Sequence, residues 1–189
     1  MKTDQLTKLI KSRRSIFPAM YNDRPISRET ILEILENGNW APNHRKTEPW
    51  RFKIYQGDSL KSLSSYLGDY YKENTPAEKF SEIKHKKTIG KPLKSACVIA
   101  LCLYDDPNVS IPKWEQRAAL ACAVQNMWLT CTSLGIGSYW SSPKSIISAS
   151  EFLGLSDHEE CLGLFYMGYT DIAELPAKRG DINDKVEWR

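Results

Sequence analysis

Leu6, Leu9 and Ile10 recur at helical spacing behind Thr3 and Asp4, which predicts an amphipathic helix from Asp4 to about Arg13. Pro18 and Pro25 break the next stretch. Ser27, followed by Glu29 and Thr30, then opens a second helix with an Ile31, Ile34 and Leu35 stripe that closes at Asn37-Gly38-Asn39. Trp40 to Pro49 has no periodicity and reads as a loop, and Trp50 to Tyr55 alternates as a strand does. Ser59 to about Tyr71 reads as helix, and the polar, lysine-heavy stretch from Lys72 to Lys94 predicts a mobile excursion. Ala96 to Tyr104 is a short apolar run, consistent with a central strand buried on both faces. From Trp114 to Leu134 the chain is apolar on most sides, as expected of a helix in the middle of the molecule and packed within a dimer. Gly135 ends it, Ile136 to Trp140 predicts a strand, Lys144 to Leu153 a helix, and Cys161 to Gly168 a last core strand. The tail after Thr170 is extended and polar, with Val186 and Trp188 as apolar points in need of cover. Helices and strands alternate unevenly, which favours a layered α+β fold over a doubly wound parallel sheet.

Composition narrows the function classes. The 189 residues suit one domain, 1–189, and 41% hydrophobic residues supply its core. A net charge of +3 with 26% charged residues contains no basic arm, so nucleic acid is not an expected partner. Cys97, Cys102, Cys122, Cys131 and Cys161 form no CxxC pair and lie in apolar surroundings, which points to reduced thiols in a cytoplasmic protein. No secretory signal and no bilayer-length apolar run is present, so membrane association is not expected. His44, His85 and His158 share no metal-ligand spacing, and neither GxSxG nor a Walker loop occurs, which disfavours metal, hydrolase and kinase chemistry.

Four segments carry candidate chemistry. Arg13-Arg14-Ser15 ends the first helix, where two guanidinium forks and a hydroxyl can converge on a phosphate; solvated arginines favouring the helix dipole are the simpler alternative. Ala41-Pro42-Asn43-His44-Arg45-Lys46-Thr47-Glu48-Pro49-Trp50 can lay donors along a polar ligand, or its histidine can be satisfied by backbone. Gly135-Ile136-Gly137-Ser138-Tyr139-Trp140-Ser141-Ser142-Pro143 has a GxG but no strand before it and no third glycine, so it is no Rossmann fingerprint and reads equally as a tight helix-to-strand turn. Lys178 and Arg179 lie in the polar tail, where solvated charge is the usual reading.

Taken in order, Arg-Arg-Ser, an Ala-Pro loop running into Pro49-Trp50-Arg51-Phe52, a long central helix and Gly-Ile-Gly-Ser-Tyr-Trp resemble the nitroreductase family over almost the whole chain. The Ala-Pro-Asn-His loop, Trp114-Glu115-Gln116 and the short length look most like its compact YdjA-like branch. The resemblance implies a three-layer α+β sandwich, with a mostly antiparallel sheet flanked by helices. It also implies a homodimer built on the central helices, with two FMN sites at the interface. Carried over, Arg13, Arg14 and Ser15 would hold the FMN phosphate and ribityl chain, and His44 would lie beside the flavin. Trp140, Ser141 and Ser142 would approach the ring from the other subunit, and Arg179 would join at the phosphate. Trp40 stands where the compact branch commonly has an arginine, and Glu48 replaces a frequent glutamine; both departures bear on cofactor affinity and potential.

The implied activity is ping-pong transfer of electrons from NAD(P)H through FMN to nitroaromatics, quinones or related acceptors. The cofactor carries the chemistry and no side-chain nucleophile is required. The alternatives are a non-enzymatic FMN-storage protein and a flavin-destructase or dehalogenase on the same scaffold. Lys84, Lys86 and Lys87 are read either as part of a mobile cover that recruits NAD(P)H or as a solvated helix remote from the site.

Overall fold

The computed structural model describes residues 3–172 and 175–189. In chain order it comprises α1 (Thr3–Ser12), α2 (Arg28–Asn39), β1 (Trp50–Tyr55), α3 (Asp58–Glu73), α4 (Glu82–Leu93), β2 (Cys97–Tyr104), α5 (Lys113–Ser133), β3 (Ile136–Ser141), α6 (Lys144–Ile147), α7 (Ser150–Leu153) and β4 (Glu159–Tyr169). The strands form one four-stranded sheet in the order β1-β2-β4-β3, with every neighbouring pair antiparallel. Beyond β3 the sheet gains one more contact, a parallel bridge from Ser15 to Ser138.

β2 explains why helices cover both faces. Its side chains alternate sides with period two, and all but Tyr104 are buried. Cys97, Ile99, Leu101 and Leu103 enter the core built with α2 and α5, whereas Val98, Ala100 and Cys102 enter the core built with α3, α6 and α7. The result is the expected α+β sandwich of helix, sheet and helix layers.

α5 divides lengthwise. Ala119, Leu120, Ala123, Val124, Met127 and Cys131 are buried on one side, while Trp114, Ala118, Ala121, Cys122 and Gln125 are exposed on the other. α2 closes at Asn39, within the predicted Asn37-Gly38-Asn39 stop, and Gly38 also lies against the inner side of α5: a Cβ there would meet Met127 Cγ at 2.8 Å.

Two expectations change. The stretch from Lys72 to Lys94 is not an excursion, because α4 forms within it, capped by Ser81 accepting from the Lys84 amide. It packs on α3 through Ile89 against Gly68 and a hydrogen bond from Ser64 Oγ to the Ile89 carbonyl, 2.7 Å. The predicted helix from Lys144 to Leu153 divides into α6 and α7. Val186 and Trp188 are exposed, Trp188 at 91%. Among the described residues no helix is long and apolar enough to cross a membrane.

Candidate functional site

At the end of α1 the Arg13 guanidinium lies 4.6 Å from the Trp128 ring centroid, and Trp128 Nε1 donates to the Arg14 carbonyl, 3.2 Å. Arg13 is held below the ordinary arginine pKa, first by desolvation and then by the nearby charges of Arg179 and Arg14. Among the described residues no carboxylate pairs with Arg13, Arg14 or Arg179. Cations gathered without a counter-charge repel one another, and an oxyanion relieves that repulsion while accepting their N–H groups. The two arginines differ in availability. Arg14 donates from Nε to the Leu175 carbonyl at 2.8 Å and from one terminal nitrogen to the carbonyls of Lys11 and Arg13 at 2.6 and 2.8 Å, so it largely fixes local chain geometry.

Ser15 is fastened to the edge of β3, with the Ile16 amide donating to the Ser138 carbonyl at 3.0 Å. The chain then forms one wall of a cavity of about 590 Å³ through Phe17, Pro18 and Ala19. The opposite wall is α4, which presents Ile83, Lys86, Lys87, Gly90, Lys91 and Lys94. Those positions recur at three- and four-residue intervals, a helical face whose lysine stems are apolar and whose ammonium ends are not. Among the described residues none of these lysines has a carboxylate partner. Phe17 packs on Tyr139 at 4.6 Å between centroids, and Lys91 Nζ lies 5.7 Å from the same ring. The lysines therefore line a cavity beside Ser15, on an ordered helix. Sequence reasoning missed Phe17 to Ala19, Lys91 and Lys94 as wall residues; the 3–4 spacing from Ile83 to Lys94 was the available signal.

Trp140, Ser141 and Ser142 continue β3. Trp140 Nε1 donates to the Leu162 carbonyl at 3.2 Å, which fixes the indole. Gly163 has φ 137°, and a Cβ there would collide with the Ser141 carbonyl, so β4 comes close enough to hold Trp140 only because residue 163 is glycine. Gly137 also serves packing: a Cβ would meet Ile16 and Tyr21 at 2.9 and 3.0 Å. The GxG is thus a close-packing device. Ser141 is three residues beyond Ser138, about 10 Å along the strand, so Arg13 to Ser15 and Trp140 to Ser142 share one sheet edge of one chain.

His44 lies elsewhere. It opens a helical turn, His44–Lys46, and its Nδ1 is 2.6 Å from Glu115 Oε2 at the start of α5. Thirteen residues of α5 separate Glu115 from Trp128, about 20 Å along the axis, so a single chain does not bring His44 to Arg13. Arg45, Lys46 and Glu48 have φ of 53°, 54° and 42°. Three non-glycine residues in the left-handed region carry strain of about 1–3 kcal/mol each, which the loop sustains through surrounding contacts. Asn43 Oδ1 accepts from the Glu48 amide at 3.1 Å, and Thr47 donates to the His44 carbonyl at 3.2 Å. Trp40 is 78% exposed and donates to Glu36 at 2.9 Å.

Comparison with known proteins agrees with this architecture. A family model described as "Nitroreductase family" matches residues 10–169. A Bacillus subtilis (strain 168) protein named "Putative NAD(P)H nitroreductase YfhC" is 29% identical over 95% of this chain and 92% of its own length. Among solved structures, a nitroreductase-like family protein from Bacillus cereus is 26% identical, with TM-score 0.82, covering 100% of this chain and 98% of that one. The FMN- and NADPH-dependent nitroreductase NfnB of "sphigopyxis sp. strain HMH" shares the fold at 15% identity and TM-score 0.76, over 97% of this chain and 98% of that one.

Proposed function

Because the chain belongs to the nitroreductase family, we propose that it is an NAD(P)H oxidoreductase that binds FMN at a homodimer interface, with residues 1–189 forming one cofactor-binding domain. The observation that carries this reading is the convergence of Arg13 and Arg179, with no carboxylate paired to them among the described residues, beside a lysine-walled apolar cavity. That donor set fits a phosphorylated planar cofactor. Arg13, Arg179 and the Ser15 hydroxyl take the phosphate end, and Arg14 adds charge while holding the turn. Phe17 and the stems of Lys87 and Lys91 enclose the ring, and Trp140, Ser141 and Ser142 border it from the same chain. Bound FMN supplies hydride acceptance from NAD(P)H and donation to the second substrate. The α4 ammonium groups offset the negative charge that two-electron reduction places on the ring, and they draw in a phosphorylated nicotinamide donor.

The dimer reading rests on α5. Ala118, Ala121 and Cys122 give its outer face small side chains that let a second helix approach closely, and uncharged exposed surface of that kind favours self-association. A two-fold axis near the middle of the helix sets the two copies antiparallel, so the partner subunit's His44 arrives at the Trp128 end of α5, beside the cofactor. This division keeps Trp140 to Ser142 with the phosphate anchors of their own chain and makes His44 the residue that crosses. An obligate interface of this kind buries on the order of 2,000 Å² or more. The acceptors are nitroaromatics, quinones or related compounds, reduced by a ping-pong cycle, and the free cysteines suit the reducing cytoplasm.

Purified protein mixed with FMN should retain it as a yellow dimer, and NADH or NADPH should bleach the bound flavin in stopped flow. A protein that fails to bind FMN sinks the reading. One that binds FMN which neither nucleotide reduces is a storage protein instead.

A further inference from the structure

The contact between His44 and Glu115 has no place in cofactor anchoring, and neither residue shows its function in the chain alone. His44 Nδ1 lies 2.6 Å from Glu115 Oε2, the imidazole side chain is 51% exposed, and the carboxylate is 26% exposed. The ring therefore has one nitrogen fixed against α5 and the other, Nε2, turned away from Glu115. The loop that presents it holds Arg45, Lys46 and Glu48 in left-handed backbone geometry, and it is tied at both ends by Asn43 and Thr47. A loop held under strain with one histidine edge presented outward is a positioned group, not a slack connection.

We infer that Glu115 is a positioning residue that makes His44 Nε2 a proton donor to the electron acceptor, across the dimer interface; this rests on the dimeric FMN reading above. Reduction of a quinone to its hydroquinone takes two electrons and two protons. Reduced FMN, when bound, would supply a hydride, which accounts for both electrons and one proton. The second proton passes from Nε2–H of the His44 imidazolium to the acceptor's other oxygen, and the N–H bond's electron pair stays on Nε2. The neutral imidazole that remains carries its hydrogen on Nδ1, the tautomer whose N–H donates to Glu115. Both protonation states keep the same hydrogen bond, so the ring delivers a proton without turning. Solvent at the exposed edge restores the proton. A bond made only to brace the loop needs no free Nε2.

The test compares wild type and Glu115→Gln, each as the FMN-loaded dimer, with two acceptors: a water-soluble benzoquinone, and ferricyanide, which takes one electron at a time and no proton. The expected result is a fall of about tenfold or more in the ratio of quinone to ferricyanide turnover, within the range that general acids contribute. A second measurement does not involve turnover. In the FMN-free protein at alkaline pH, ¹⁵N NMR of the imidazoles, with His44 assigned through His44→Gln, should show the Nδ1–H tautomer in wild type and a shift towards Nε2–H in Glu115→Gln. An unchanged ratio, or a wild-type His44 that is Nε2–H, overturns the inference. Failure of wild type to bind FMN or reduce either acceptor is the separate failure of the oxidoreductase reading.

Discussion

Replacing Arg13 with alanine should separate cofactor affinity from protein stability. In the FMN-free protein the substitution removes a cation stacked 4.6 Å over Trp128, a contact contributing about 0.5–1 kcal/mol at a partly exposed site. It also removes a charge crowded by Arg179 and Arg14, and the relief has the opposite sign. The net change in stability without cofactor should stay within about 1 kcal/mol. Binding should respond differently, since a charge-assisted contact to phosphate contributes about 1.5–3 kcal/mol and its loss weakens FMN affinity roughly ten- to a hundredfold. At an FMN concentration a hundred times the wild-type Kd, ligand stabilisation is about 2.7 kcal/mol; a variant a hundredfold weaker retains about 0.4 kcal/mol. For a chain of this size the FMN-induced rise in Tm should shrink from about 5–10 °C to about 1–2 °C. Fluorescence titration of FMN and circular dichroism melts at fixed protein concentration measure both quantities. Arg14→Ala is the contrast: it abandons three backbone carbonyls, so its melting point without cofactor should fall by more than that of Arg13→Ala. Unchanged FMN affinity in Arg13→Ala would refute the reasoning. So would a cofactor-free protein several kcal/mol less stable, because the residue would then be part of the fold and not of the site.

Gly163→Ala should destabilise by about 1–3 kcal/mol in urea titration and disturb Trp140 fluorescence, since the position combines a positive φ with no room for a methyl group; a neutral outcome would contradict the close approach of β4 to Ser141. With a thiol reagent, burial protects Cys97 and Cys131, whose thiols are pushed up to about 12, while Cys122 is exposed on α5. Cys122 should therefore label only as fast as the dimer dissociates, faster on dilution, and labelling independent of protein concentration would count against an α5 interface. The Arg117 guanidinium, 2.7 Å from Glu160, holds that carboxyl below the usual carboxylate range. A depressed carboxyl stabilises above its ordinary value and loses that effect as pH falls through the depressed one. Arg117→Gln should therefore lower stability at neutral pH by up to about 1 kcal/mol, with the gap closing in acid; a gap that persists at pH 2 would exclude the ion pair as its cause.

Periodicity made most of the elements legible. The Ser27 cap, the β2 run and the long α5 lie within a residue or so of where their patterns put them, because each has an apolar set of consistent period. α4 was lost because its packed face is short, with Ile89, His85 and Pro92 set among the exposed Lys84, Lys86, Lys87 and Lys94, so the apolar period is too sparse to read. Gly38 marked the last turn of α2 correctly, but its second role, admitting Met127 of α5, had no local signature. In the site, Arg13 to Ser15 and Trp140 to Ser142 were nominated separately, and only the bridge from Ser15 to Ser138 shows that they share an edge. The link from His44 to Glu115 spans seventy-one positions and has no local signature.

The same bridge bears on solubility. An open sheet has two unpaired edges, each a template for another chain. At one edge β1 carries Arg51 and Lys53, charges that discourage a second strand from docking. At the other, β3 reads Ile-Gly-Ser-Tyr-Trp-Ser and has no charge at all, so its protection comes from the short segment at Ser15 and Ile16 that occupies the edge. That segment follows directly from the proposed phosphate anchor at Arg13. When it peels away, the cofactor contact and the edge cover are lost in one event, so the colourless protein at low FMN should be the form that clouds on standing.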